Sequence, residues 1–440
     1  MDVTETIRNV QCQLYPQLTL KHEQISSIEN ILQGNNIIVN LPVGFGKSII
    51  FHMLPKIFED LGRVQNKVLV VSPLNAIMED QCKKLNKINV KVVQLSQKCQ
   101  IIENNKDSCE NVIQESLNAS IILTHPEGLL VAESGVKLLR ALEGKVGAIV
   151  IDECHKIDDW GREFRKSFSE LVVLKSFFNN VPIACLSGTL TGKHINALSK
   201  QLLISNFKVI SVSPEKTNLK LIVCEKIKGS SYKKIENIYK SQIDQLLVEG
   251  NNFPVTLMFM PMEYIAHAMS YAYYTFGGVS KITVNNAVFG CLYSNQDPEV
   301  LNCIITDLQS VQPRFRLVFT TTVVGMGFDP PSVTQVIHCK PPRSVTNYLQ
   351  EIGRAGRRGQ MSTATLYYTN MDLAKNLPGI QDDIISYCRH KACYRECLLE
   401  IFGYKKSSNS PEGCLCCSFC SLQCRCENCN LVRVVDELNL

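Results

Sequence analysis

Ile37-Ile38-Val39-Asn40-Leu41-Pro42-Val43-Gly44-Phe45-Gly46-Lys47-Ser48 is a short apolar run, then a loop with two glycines, then the start of a helix-compatible segment. A buried strand that turns through glycines into a helix is the repeating unit of parallel α/β sheets. Such a loop also suits a phosphate. Glycines let backbone N–H groups approach it, the helix N-terminus favours negative charge, Lys47 reaches the β- and γ-phosphates, and the Ser48 hydroxyl can ligate magnesium. Taken alone, the same residues also read as an ordinary Gly-rich strand-to-helix turn.

The pattern repeats outward from this loop. Val68-Leu69-Val70-Val71, Ile121-Ile122-Leu123, Ala148-Ile149-Val150-Ile151 and Ile183-Ala184-Cys185-Leu186 are strand-length and apolar on both faces, as central strands of a covered sheet must be. Ile25, Ile28 and Leu32 recur at helical spacing and Gly34 ends the pattern, which predicts a short helix before the first strand. A second series follows the polar stretch Ser213-Pro214-Glu215-Lys216-Thr217-Asn218: Leu221-Ile222-Val223, Thr256-Leu257-Met258-Phe259, Leu317-Val318-Phe319, Val336-Ile337-His338 and Thr363-Ala364-Thr365-Leu366-Tyr367. Asp297-Pro298 has the chemistry of a helix start between them. The expected organisation is two α/β domains, residues 1–209 and 210–379, then a small helical, Cys-rich module over 380–440.

Composition agrees. The chain has 440 residues, a formal net charge of +5, and 20 cysteines, half of them between Cys388 and Cys429. That length can bury two cores; the modest charge leaves room for a basic groove, and no polybasic tail that would bind nucleic acid by charge alone is evident. Scattered single cysteines are small buried hydrophobes, whereas the dense tail reads as metal ligation rather than a disulfide framework. No apolar run approaches the ~18 residues of a membrane span and no apolar leader follows Met1, so a soluble, intracellular protein is expected.

Asp152-Glu153 directly follows Ala148–Ile151, at the carboxyl end of a strand, where open α/β sheets bind ligands. Asp152 would hold magnesium, and Glu153 would orient and deprotonate an attacking water. An isolated Asp-Glu also reads as a solvated strand end. In the second series, Gly353-Arg354-Ala355-Gly356-Arg357-Arg358-Gly359 offers guanidinium groups suited to a triphosphate, or a flexible basic loop.

In order along the chain, these elements resemble a superfamily 2 helicase and, within it, a RecQ-type DNA helicase. Leu20-Lys21-His22-Glu23-Gln24, Val70-Val71-Ser72-Pro73-Leu74 with Asp80-Gln81, Thr124-His125-Pro126-Glu127, Ser187-Gly188-Thr189, Thr321 with Gly325-Met326-Gly327-Phe328-Asp329, and Gln350-Glu351-Ile352 before the arginine motif follow the family's sequence. The resemblance covers about residues 14–420. It implies two RecA-like parallel-sheet domains in tandem followed by a zinc-binding module. It further implies ATP and magnesium as cofactors, with Lys47, Asp152, Glu153, Arg354 and Arg357 catalytic and Arg357 the arginine finger. Lys21, Gln24, Gly44, Gly46, Ser48, Gly325, Asp329 and Gln350 would line the nucleotide, Gln24 reading its adenine. Single-stranded and duplex DNA are the implied partners, with 3′-to-5′ movement and a nuclear location if the source is eukaryotic. Leu41 and Val43 in the phosphate loop, Cys154, Gly188 and Arg358 depart from the family pattern, yet each leaves the other charged residues in place.

His155-Lys156-Ile157-Asp158-Asp159-Trp160-Gly161-Arg162-Glu163-Phe164-Arg165 resembles the aromatic-rich loop of that family. Trp160, Phe164 and Arg165 would then contact the strand by stacking and charge; read alone, the two aromatics equally suit local packing. The zinc module of the family implies Cys393, Cys414, Cys417 and Cys420 as ligands, one thiolate on a helix and three on a tight loop. Cys397, Cys416, Cys424, Cys426 and Cys429 compete nearby, and the last three are also candidates for a second site or for a reduced, unligated tail. Past Leu440 no winged-helix or small helical domain is expected. A superfamily 2 RNA helicase and an ATP-gated nucleic-acid clamp that does not unwind are the alternative readings.

Overall fold

In a computed structural model of the chain, the described residues are 2–73, 75–95, 106–130, 133–155, 170–226, 231–278, 281–283, 286–294, 296–321 and 330–430. They form two compact units, Met1–Pro214 and Glu215–Leu440. Among them, no helix is long and apolar enough to cross a membrane.

The first unit is built on seven parallel strands: β1 Ile37–Asn40, β2 Lys67–Val71, β3 Val92–Gln94, β4 Ile121–Thr124, β5 Val146–Ile151, β6 Ile183–Ser187 and β7 Lys208–Ser211. Their order is β3-β4-β2-β5-β6-β1-β7. Every residue of β1, β4, β5 and β6 is buried, as strands covered on both faces must be. One core cluster places Ile38, Leu69, Ile149 and Cys185 on one side of the sheet, and another places Val39, Val70, Val150 and Leu186 on the other. Because the strands are parallel, the segments leaving β1, β2, β5 and β6 emerge along one edge. Those segments are the phosphate loop, Ser72-Pro73, the acidic pair and Ser187-Gly188-Thr189.

The second unit carries β8 Leu219–Glu225, β9 Thr256–Phe259, β10 Phe289–Leu292, β11 Leu317–Thr320, β12 Gln335–His338 and β13 Ser362–Tyr368, in the order β10-β11-β9-β12-β13-β8. The arginine motif lies between the helix Val345–Ile352 and β13. The helices Asp382–Cys388 and Tyr394–Ile401 share one core with this sheet. Tyr348, Tyr387 and Tyr394 join them in a ladder with ring centroids 5.4 and 5.7 Å apart. The edge strand β8 is capped by the cysteine loop: Leu221 N–H donates to the Cys416 carbonyl at 3.2 Å, and Val223 N–H to Ser418 Oγ at 3.1 Å. A covered edge cannot pair with another chain.

All ten expected strands are present, and the Asp297 carboxylate caps its helix by accepting from Glu299 and Val300 N–H. Three strands were not expected: β3, β7 and β10. All three are sheet edges. β7 is largely exposed, so its sequence carries no apolar run to announce it. It also extends the first sheet to Ser211, past the expected boundary at residue 210.

Candidate active site and metal centre

Gly46 has φ +86°, and a Cβ added there would lie 2.8 Å from Gln24 Nε2. The position therefore needs glycine for both conformation and space. Lys47 opens the helix Lys47–Asp60, whose first-turn N–H groups have no intrahelical acceptor and face the loop. Lys47 Nζ donates to the Leu41 carbonyl at 3.0 Å. Gln24 is buried; its Nε2 donates to the Phe45 and Gly46 carbonyls at 3.0 Å each, and its Oε1 accepts from Lys21 N–H at 2.8 Å. Lys21 Nζ stands 3.8 Å above the Phe45 ring. Lys21, Gln24, Gly44, Gly46, Lys47 and Ser48 thus belong to one assembly.

Ser48 has a supporting chain that the sequence did not reveal. Gln81 Nε2 donates to Ser48 Oγ at 3.1 Å, Gln81 Oε1 lies 2.7 Å from His52 Nε2, and His52 Nδ1 lies 2.6 Å from the Tyr15 hydroxyl. The Gln81 oxygen can only accept, so His52 carries its proton on Nε2 and Nδ1 accepts from Tyr15. Burial lowers the His52 pKa to about 4, holding it in that neutral form. Tyr15 and His52 carry no motif signal; their partners are 37 and 29 residues away.

Asp152 is buried, and its pKa is pushed up to about 7 by that burial and by Glu153; Lys47 and the Glu153 N–H, which donates at 3.0 Å, pull it back. A carboxylate buried beside a second carboxylate fits a site completed by a cation. Ser48 and Asp152 are the residues that would hold magnesium, and a bound magnesium would neutralise charge on phosphate oxygens. Glu153 has φ +48°, a conformation that non-glycine residues seldom adopt. Its Oε2 lies 3.3 Å from His155 Nδ1, which is also 3.0 Å from Ser187 Oγ. Ser187 Oγ in turn accepts from Thr189 N–H at 3.3 Å. The acidic pair and Ser187-Gly188-Thr189 are therefore one hydrogen-bonded set. A Cβ on Gly188 would sit 3.2 Å from both Lys47 Nζ and the Leu41 carbonyl oxygen, so the glycine leaves room for them.

In the second unit the arginine motif is held from below by the polar stretch that read as a boundary. Lys216 Nζ donates to the Gly353 and Ala355 carbonyls at 2.6 and 2.8 Å, and Asn218 Nδ2 to those of Gly356 and Gln360 at 2.8 Å each. Gly356 has φ +70°, and a Cβ there would meet Asn218 Nδ2 at 2.4 Å. His338 Nε2 and Glu351 Oε2 form a buried pair at 2.7 Å that fixes the preceding helix. Arg354 is buried, while Arg357 and Gln350 are partly exposed, so Arg357 is the more accessible guanidinium. An open cleft over the ends of β9 and β12 is lined by Thr321, His338, Lys340, Arg343, Asn347 and Asp372. Trp160, Phe164, Arg165, Gly325 and Asp329 lie outside the described residues.

The cysteine loop requires a correction. Cys393, Cys416, Cys417 and Cys420 have their sulfurs within 4.8 Å of one another; Cys414 belongs instead with Cys424, Cys426 and Cys429. The reason is local. Cys416 and Cys417 are buried against β8, where the Cys416 carbonyl accepts from Leu221, whereas Cys414 lies in the short 3-10 turn Gly413–Leu415. Zinc–thiolate bonds of ~2.3 Å in a tetrahedron put sulfurs roughly 3.8 Å apart. Cys393 and Cys416 Sγ are 3.6 Å apart. Cys393 donates to Cys417, which lowers the Cys417 pKa and raises that of Cys393. The first set fits a structural zinc ion.

Arg395, on the helix that Cys393 caps, links this loop to the arginine motif: its Nη1 donates to the Lys216 carbonyl at 2.9 Å and faces Glu215, and its Nη2 donates to the Leu219 carbonyl.

Two RecA-like sheets in tandem, one bearing a phosphate loop and an acidic pair on a single edge and the other an arginine loop, define a helicase-type nucleotide-driven fold. The DEAD/DEAH box helicase model matches residues 21–198, and the helicase conserved C-terminal domain matches residues 239–359. The chain belongs to the superfamily 2 helicases. It is 24% identical over 438 residues to the ATP-dependent helicase SGS1 of Saccharomyces cerevisiae, covering 94% of this chain and 28% of that protein. It is 28% identical over 369 residues to the putative ATP-dependent DNA helicase Q1 of Caenorhabditis briggsae, covering 82% and 55%. A putative ATP-dependent RNA helicase, R290, of Acanthamoeba polyphaga mimivirus is 25% identical over 422 residues, covering 92% and 70%. The chain thus spans about half or less of the two cellular relatives. Among solved structures, the DUF1998 helicase MrfA bound to DNA and AMPPNP matches with a TM-score of 0.65 and 18% identity, over 92% of this chain and 58% of that one. At that identity the likeness concerns the fold.

Proposed function

We propose that the protein is a RecQ-type DNA helicase or translocase that couples ATP hydrolysis to 3′-to-5′ movement on single-stranded DNA and to duplex opening. The observation that carries this reading is the assembly of Lys47, Ser48, Asp152, Glu153 and His155 past the ends of β1 and β5, the two strands that flank β6 in the first sheet. Lys47 binds the β- and γ-phosphates, Ser48 and Asp152 hold magnesium, and Glu153 takes a proton from the attacking water. Arg357 adds charge to the γ-phosphate in the transition state, with Arg354 beside it in sequence. Cys393, Cys416, Cys417 and Cys420 hold a structural zinc. Trp160, Phe164 and Arg165 contact the strand. Lys340 and Arg343 in the second unit's cleft are suited to its phosphates. The name of the Q1 relative supports DNA over RNA, and the names of both the SGS1 and Q1 relatives support an ATP-dependent enzyme over a clamp.

The test is ATP turnover with and without single-stranded DNA or RNA of matched length, alongside displacement from duplexes with 3′ or 5′ tails. Stimulation by DNA that weakens steeply with salt, and displacement only from the 3′-tailed duplex, is the expected result. Preference for RNA would replace the reading with that printed for the mimivirus relative. DNA-stimulated turnover with no displacement from either duplex would leave a translocase or clamp.

A further inference from the structure

We propose that Cys414, Cys424, Cys426 and Cys429 form a second structural zinc site, separate from the Cys393 set and not dependent on the helicase reading. Their four sulfurs lie within 4.8 Å of one another, and Cys414 and Cys426 Sγ are 3.8 Å apart, close to the edge of a zinc–thiolate tetrahedron. That separation is nearly twice the ~2.05 Å of a disulfide, and all four are free thiols.

The surroundings point to a metal rather than to packing. Cys426 is exposed and the other three are only partly buried, so no apolar core draws this turn together. Holding four side chains at one point on an exposed turn costs conformational entropy, which weak thiol contacts do not offset. A second observation is that Gly413 is shaped to the cluster. It has φ +54°, and a Cβ added there would stand 2.9 Å from Cys424 Sγ, so any side chain would push that sulfur out. Backbone bonds continue the turn: Cys424 N–H donates to Ser421 and Asn430 N–H to Cys426.

The two sets interlock along one ribbon. Cys414 enters the outer site, and two residues later Cys416 and Cys417 enter the inner one. The helix Ser418–Gln423 carries Cys420 to the inner site, and Cys424 at its C-terminal end joins the outer. Four soft thiolates in tetrahedral array select zinc or iron, and a closed site with no open position is structural. The outer ion fastens residues 424–429 to Gly413–Leu415 and thereby commits Cys414 outward, leaving Cys416 to complete the inner set.

The test is metal analysis of the purified full chain, read for zinc and iron, with four single variants. Two zinc ions per chain are expected in the wild type. Cys426→Ser and Cys414→Ser should each keep one zinc and a folded second unit, whereas Cys416→Ser should lose the inner ion. One zinc in the wild type, lost in Cys414→Ser and kept in Cys416→Ser, would overturn the proposal and restore Cys414 to a single site. So would an unchanged zinc content in Cys426→Ser, iron as the second metal, or a disulfide among these four cysteines found by mass spectrometry after alkylation. Cys420→Ser should likewise lose the inner ion and keep the outer one, the converse of Cys426→Ser, and loss of the same single ion in both variants would overturn the proposal. Because variants can misfold, X-ray absorption of wild-type zinc supplies an independent reading. A shell of four sulfurs at ~2.3 Å for all bound zinc supports the proposal, and nitrogen or oxygen in half of the sites refutes it.

Discussion

In the phosphate loop the Lys47 ammonium, the Gln24 amide and the Ser48 hydroxyl each have a partner in the protein, whereas eight cysteine sulfurs are gathered into two sets of four, each within 4.8 Å of one another. Both regions are built to receive charge, but by different routes. The loop stands as a finished structure whose groups exchange one partner for another when phosphate arrives. The thiols repel once ionised and need a cation to hold together, so their local fold is inseparable from the metal. Ligand removal should therefore be silent for the fold of the first region and decisive for the second.

The largest effect expected is on stability. Cys417→Ser, or chelation of the wild type, should remove a contribution on the order of 10 kcal/mol, comparable with the whole stability of a domain. Proteolysis should then cut within Glu215–Leu440 while a fragment of the first unit survives. ATP turnover should fall as well, because the helix capped by Cys393 carries Arg395, which braces Lys216 beneath the arginine motif. Equal resistance of both units after chelation would erase the contrast. Next in size is Glu153→Gln, which should slow hydrolysis at least ~100-fold while shifting stability by no more than ~1 kcal/mol. Near-normal turnover would remove Glu153 from the reaction.

The same contrast accounts for what the sequence could tell. Central strands such as Ile121–Thr124 and Val146–Ile151 are buried on both faces and announce themselves as apolar runs; the exposed edge strand β7 does not. The glycine-rich loop was legible because its chemistry is contiguous, glycine beside lysine beside serine. The bracing of Ser48 by Gln81, His52 and Tyr15 was not, since it joins distant residues with no periodic signal. Lys216 and Asn218 were hidden because a polar stretch reads as a linker whether or not its side chains hold carbonyls. Among the cysteines, equal spacing made Cys414, Cys417 and Cys420 look like one set. Backbone direction decides membership: the turn at Gly413–Leu415 sends Cys414 outward, and the bond to Leu221 holds Cys416 inward.

A smaller effect tests the self-sufficiency of the first region. His52 keeps a folded pKa of about 4 against 6.5 when unfolded, so the unfolded state takes up its proton first as pH falls. Stability from this residue is complete above about pH 6.5 and is lost progressively down to about pH 4, by roughly 3 kcal/mol in all. Asp152, raised to about 7, has the opposite sign: its folded form gains stability as pH falls through that value. Comparing wild type with His52→Gln by urea unfolding at pH 7.5, 6 and 5 isolates the first term. The wild type should lose its advantage as pH falls; parallel curves would mean that His52 is not held neutral.

The smallest effect is expected at Gly188, beside Lys47. The Lys47 ammonium donates to the Leu41 carbonyl, and a methyl at Gly188 would press on both from 3.2 Å. The carbonyl is backbone and moves little, while the ammonium ends a flexible side chain and can yield by a few tenths of an ångström. Gly188→Ala should therefore weaken the resting hydrogen bond of Lys47 without occupying the place it takes on phosphate. Weakening a hydrogen bond that competes with phosphate for the Lys47 ammonium favours binding, so the KM for ATP should stay constant or fall, by no more than ~3-fold, about 0.6 kcal/mol. Turnover at saturating ATP should be unchanged, because a hydrogen bond already broken in the bound state adds nothing to the transition state. A tenfold rise in KM would show instead that the methyl obstructs the working position of Lys47, and that the phosphate loop depends on its neighbour more closely than its internal hydrogen bonds imply.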